Sequence, residues 1–122
     1  MDNLFTEIPE HLPAEWLQDL LVHRGLRIER IVSRGHASPP GHWYQQDWDE
    51  WVLLIQGKAE LEYRDPPARR RLAPGDWLFI PAGTAHRVSW TTPEENSLWL
   101  ALHWDAGTDA RAPGNCLQTQ AP

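Results

Sequence analysis

Gly75-Asp76-Trp77-Leu78-Phe79-Ile80-Pro81-Ala82-Gly83-Thr84-Ala85-His86 reads as turn, strand, turn and the opening of a second strand. Ala73-Pro74-Gly75-Asp76 and Pro81-Ala82-Gly83 each join a residue that fixes φ to one that permits φ > 0, the local chemistry of tight turns. The same rhythm continues outward in both directions. Runs rich in Trp, Val, Ile, Leu and Tyr predict strands near 27–33, 42–46, 50–56, 59–64, 69–72, 77–80, 85–91 and 97–104. Ser38-Pro39-Pro40-Gly41, Gln56-Gly57-Lys58, Asp65-Pro66-Pro67 and Pro93-Glu94-Glu95-Asn96 separate them. No segment between strands is long enough for a helical crossover, so the pairing should be antiparallel. The expected class is all-β, an antiparallel jelly-roll β-barrel.

The ends of the chain break this rhythm. Over residues 1–25, Trp16, Leu17, Leu20 and Leu21 recur at three- and four-residue steps between Pro13 and Gly25, which predicts a short N-terminal helix packed on the barrel. Residues 26–104 form the expected barrel, and 105–122, with no periodicity, a mobile tail. A chain of 122 residues is one domain, and 41% hydrophobic content suffices for a core. The longest purely apolar run is Trp51-Val52-Leu53-Leu54-Ile55, too short to span a bilayer. The acidic start, Met1 to Glu7, does not resemble a secretory signal. A net charge of −6 argues against nucleic acid or an anionic membrane as partner. The basic run Arg69-Arg70-Arg71 is expected to be a solvated strand or turn. The single cysteine, Cys116, cannot form an internal disulfide, which fits a cytoplasmic protein.

Parity along the strands assigns side chains to faces. Glu50 shares its face with Val52 and Leu54, His86 with Val88 and Trp90, His103 with Ala101 and Trp99, and Gln46 with Tyr44 and His42. A carboxylate and an imidazole turned into one barrel are costly unless partnered. Either they belong to a hydrogen-bonded network or they hold a metal. His11, His23 and His36 are expected on the surface. Trp51, Leu53 and Ile55 lie on the opposite face from Glu50, where exposed apolar side chains mark a partner surface or the seat of the helix.

These residues resemble the cupin superfamily. Gly75 to His86 is similar to the second cupin motif, G-x5-P-x-G-x2-H, and Glu50 with Gly57 to the latter half of the first, E-x6-G. Seventeen residues separate Gly57 from Gly75, as in small single-domain bacterial cupins. The H-x-H that usually precedes the glutamate is replaced: its positions hold Tyr44 and Gln46, or Trp43 and Gln45. The asparagine expected after the second-motif histidine is Trp90.

The resemblance implies a pocket for a divalent metal (Mn, Fe, Ni or Zn) and a small organic molecule, with oxygenation or isomerisation as the chemistry. Glu50 and His86 would be metal ligands, Gln46 and His103 further candidates, and His42 a substitute for a missing imidazole. Tyr44 would move a proton. Trp43, Trp90 and Trp99 would wall the pocket. Cupins commonly pair through their sheets, so a homodimer is expected. The alternatives are a metal-free binding or sensing module and a structural protein acting through the Trp51 face.

Overall fold

The computed structural model describes residues 2–105; the remainder of the expected tail, with Cys116, lies outside them. Eight strands follow in order: β1 (Trp16–His23), β2 (Leu26–Ser33), β3 (Asp49–Gln56), β4 (Ala59–Tyr63), β5 (Ala68–Leu72), β6 (Trp77–Ile80), β7 (His86–Thr91) and β8 (Ser97–Trp104). All pairings between them are antiparallel. They form a five-stranded sheet, β1-β2-β8-β3-β6, and a three-stranded sheet, β5-β4-β7. Among the described residues no ladder joins the two into one closed barrel. Their inner faces share a core: Val52, Leu54, Ile80, Trp99 and Ala101 meet Ala59, Leu61 and Leu72.

The expected N-terminal helix is absent, and residues 16–23 are a strand. Arg24 and Gly25, at φ 48° and 80°, form a two-residue connection between His23 and Leu26. Two successive positive φ values match the twist of a hairpin, so Gly25 is a turn residue and not a helix stop. The helix-like spacing has a second cause. The ladder shifts register between Asp19 and Leu21, and the extra Leu20 puts a three-residue step, Gln18 to Leu21, into an alternating strand. A boundary at residue 25 therefore falls inside a hairpin. The segment expected as a strand at 42–46 is a loop with one bridge, Tyr44 to His86.

Gly57, the last residue of E-x6-G, sits at φ +92° between β3 and β4. A Cβ there would lie 2.5 Å from the Cα of Ser97, so only glycine lets β8 pass this closely. Arg69 and Arg71 on exposed β5 reach Glu60 at 3.2 and 3.0 Å, which agrees with a solvated basic strand. Among the described residues no helix is long and apolar enough to cross a membrane.

Candidate functional site

Three elements deliver the inward polar side chains. Glu50 is the second residue of β3 and lies opposite both Ile80 of β6 and His103 of β8. His86 opens β7, directly after the Pro81–Thr84 turn. That turn is anchored to its surroundings: Asp49 Oδ1 accepts from the Ala82 amide at 2.8 Å, and the Gly83 amide donates to the Gln46 carbonyl at 2.7 Å. Tyr44 and His86 exchange backbone hydrogen bonds at 2.8 and 2.9 Å, so the 43–48 loop and the histidine are fixed together. Within β3 the alternation of Glu50, Val52 and Leu54 places the carboxylate on the core face, as parity predicts.

Tyr44, Gln46, Glu50, His86, Trp99 and His103 line one cavity of about 150 Å³. His86 Nε2 is 3.8 Å from Glu50 Oε1, and His103 Nδ1 is 3.7 Å from Glu50 Oε2. Both exceed hydrogen-bond length, so Glu50, only 7% exposed, has no hydrogen-bond partner among the described residues. Burial pushes its carboxyl above the usual range against the pull of His103, and Glu29 and Glu15 raise it further. His86 Nδ1 donates to the Thr84 carbonyl at 2.9 Å, which fixes the tautomer and leaves Nε2 with a free lone pair. Burial holds this imidazole below its ordinary value, the Thr84 bond opposing, so it is neutral near pH ~7.

His103 is bound on both sides. The Trp48 indole donates to its Nδ1 at 3.0 Å, and its Nε2 meets Glu29 Oε1 at 3.1 Å. Burial alone would lower its pKa, but the Glu29 hydrogen bond and the charges of Glu50 and Glu29 outweigh it and hold the group above its ordinary value. Protonation at Nδ1 removes Trp48's acceptor and offers Glu50 a donor. The ring therefore chooses between two neighbours. Trp99 Nε1 is enclosed and has no acceptor.

Of the anticipated site residues, Glu50, His86, His103, Gln46, Tyr44 and Trp99 come together, although Tyr44 is 41% exposed. Trp43 and Trp90 do not wall the cavity, which corrects that expectation. The β4–β7 ladder passes from Glu60 opposite Trp90 to Leu61 opposite Val88, leaving Ser89 as an extra residue. Alternation from His86 therefore fails beyond Val88, and Trp90 lies under the Arg71 guanidinium at 4.6 Å. Trp43 stands beside Arg87 at 6.0 Å. His42 is exposed, edge-on to the Tyr44 ring, and does not reach the cavity. His11 and His23 are exposed as expected; His36 is half-buried, its Nε2 3.0 Å from the Leu12 carbonyl.

Glu15, Glu29 and Trp48 were not anticipated. Glu29 had a signal, its parity with Ile31 on β2; Trp48, in a loop, had none. Glu15 is held by Ser33 Oγ at 2.7 Å. The donor set suits a metal with three or four protein ligands poorly. Among the described residues no three His, Cys, Asp or Glu side chains are grouped to hold one. His103 has both nitrogens engaged, which leaves one imidazole nitrogen, one carboxylate and the Gln46 amide.

Comparison with known proteins matches this geometry. The family described as Cupin domain matches residues 30–103. A crystal structure from Ralstonia eutropha JMP134, of a protein provisionally assigned as a mannose-6-phosphate isomerase, is 49% identical. It aligns over 87% of this chain and 98% of that one, with a TM-score of 0.83. A cupin superfamily protein of Desulfitobacterium hafniense DCB-2 is 18% identical over 80% of this chain and 83% of that one, TM-score 0.65, a likeness of fold alone. A DNA damage-repair/toleration protein of Arabidopsis thaliana is 33% identical over 70 residues, 57% of this chain but only 22% of that protein's length. With the family match spanning both motifs and the two antiparallel sheets, the chain belongs to the cupin-domain family.

Proposed function

We propose that the cavity binds a small organic molecule and moves a proton on it, an isomerase-type reaction carried by Glu50 and His86. The observation behind this is the buried pair itself: a carboxylate without a hydrogen bond and a free imidazole lone pair 3.8 Å apart on the cavity wall. Glu50, desolvated and shifted toward neutrality, suits removal of a proton from a carbon beside a carbonyl and its return to the neighbouring carbon. His86 Nε2 accepts from a substrate hydroxyl, and the Tyr44 hydroxyl donates to the carbonyl oxygen. The provisional isomerase assignment of the Ralstonia eutropha relative supports the reaction type.

The test is deuterium wash-in. Chelator-treated protein is incubated in D2O with small α-hydroxy carbonyl compounds, and C–H signals are followed by NMR. Exchange that survives chelation and is lost in Glu50→Gln is expected. Exchange abolished by chelation and restored by Mn, Fe, Ni or Zn would favour the second reading, a cation held by Glu50, His86 and the Gln46 amide oxygen. Oxygenation belongs to that reading. Binding without exchange would leave a sequestering or sensing module.

We also propose a two-fold homodimer. Trp51, Leu53 and Phe79 lie half-buried and Trp77 47% exposed on the outer face of the larger sheet, where Phe79 stacks on Trp104. Covering such a face favours pairing. Light scattering should give twice the chain mass, and Trp77→Glu should halve it.

A further inference from the structure

We infer that the pocket selects an organic ammonium, an amine with an apolar body, over phosphorylated or carboxylated molecules. The inference rests on the proposal that the cavity takes a small organic molecule, and it names the class.

Charge in the cavity is one-sided. Glu15, Glu29 and Glu50 line it, and neither Arg nor Lys does. The one imidazole able to carry charge there, His103, is already bonded to Glu29 at 3.1 Å. His86, its Nδ1–H committed to the Thr84 carbonyl, presents only an acceptor. Glu50, 7% exposed and without a hydrogen bond, is thus a buried counter-charge with an open position beside it. Among the described residues there is no helix, so no helix N-terminus is present to take an anion. A phosphate would meet carboxylates where it needs guanidinium or ammonium groups.

The body of the ligand has its own space. A basin of about 650 Å³ shares Leu17, Glu29, Gln46 and His103 with the cavity and adds apolar walls from Val22, Leu26, Trp48 and Trp104. Arg27 is the only Arg or Lys lining either space, and its half-exposed side chain lies 3.5 Å from Asp19. Indole faces beside carboxylates attract an organic cation, where a bare metal ion would gain nothing from Leu17, Val22 or Leu26. The cavity, about 150 Å³, holds a head group of roughly five water-sized units at ~30 Å³ each.

The experiment compares three probes of one shape with the full chain at low ionic strength: phenethylamine, 2-phenylethanol and phenylacetate, with mannose 6-phosphate as a fourth, read by calorimetry. The amine should bind at least ~10-fold tighter than the alcohol, a difference of about 1.4 kcal/mol, and the two anions should not saturate. Glu50→Gln should weaken the amine about 10-fold and bring the amine-to-alcohol affinity ratio close to one; Glu29→Gln, checked by melting, serves if the first variant does not fold. Equal binding of amine and alcohol, tighter binding of either anion, or no saturation by the amine would overturn charge selection. Deuterium exchange on a neutral hydroxy carbonyl compound would meanwhile show whether the proton-transfer proposal stands, so the two failures are distinguishable.

Discussion

Glu50→Gln should make the folded protein more stable at alkaline pH while removing the proposed base. Desolvating a carboxylate costs several kcal/mol. His103 at 3.7 Å offsets part of this, since unit charges ~4 Å apart attract by about 4 kcal/mol at an effective dielectric near ~20. That attraction is incomplete, because His103 divides its charge between Glu50 and Glu29, and Glu29 and Glu15 repel Glu50. The balance leaves the Glu50 carboxyl above its ordinary value. The amide carries no charge to desolvate, so the variant should be the more stable protein wherever the wild-type carboxyl is ionised. For a chain of this size each kcal/mol gained reads as about 4 °C in Tm.

The sign with pH is fixed by linkage. A glutamate whose folded pKa is raised binds its proton more tightly folded than unfolded. Its contribution to stability is intact below the unfolded value near ~4.3 and is lost as pH rises through the folded value. The glutamine lacks this loss. Urea unfolding followed by tryptophan fluorescence should show the two proteins alike near pH ~4 and the variant ahead near pH ~8, the gap widening as pH rises. A less stable variant near pH ~8, or a difference independent of pH, would refute the account of Glu50 as a desolvated carboxylate that its neighbours do not fully compensate.

Gly57→Ala combines a left-handed φ with a Cβ driven into the Ser97 backbone, and should cost about 2–4 kcal/mol in the same urea assay. Trp48→Phe removes the donor that favours neutral His103, so the His103 ring protons should titrate at higher pH by NMR, with at most about 1 kcal/mol lost in stability. An unchanged or lowered titration would count against the indole contact. Asp49→Ala deletes the acceptor for the Ala82 amide and should cost about 1–2 kcal/mol, measured by thermal melting.

Much of the sheet architecture was legible because turn chemistry is local. Proline and glycine clusters bounded β2 through β8 within a residue or so, apart from the 42–46 segment, which meets β7 at the single bridge Tyr44–His86 and extends no further ladder. Glu50, His86 and His103 were legible through alternation, which needs only an uninterrupted ladder. Where a ladder is interrupted, the inference breaks. Leu20 disguised β1 as a helix, and Ser89 carried Trp90 out of the pocket. Trp48 and Glu15 reach their partners through tertiary folding of loop segments, for which no periodicity exists to be read. The missing H-x-H was visible, but its consequence, His103 tied between an indole and a carboxylate, depends on distances no spacing rule contains.

The extra residue in β7 behaves as a frame shift. A relative one residue shorter at Ser89 would keep the side chain aligned with Trp90 opposite Glu60, whereas a relative of the same length whose β7 runs without the bulge would turn it to the core face. The bulge thus lets β7 gain or lose a residue without changing what faces the pocket, and a gapless alignment across residues 86–91 with an unbulged relative would compare positions pointing in opposite directions.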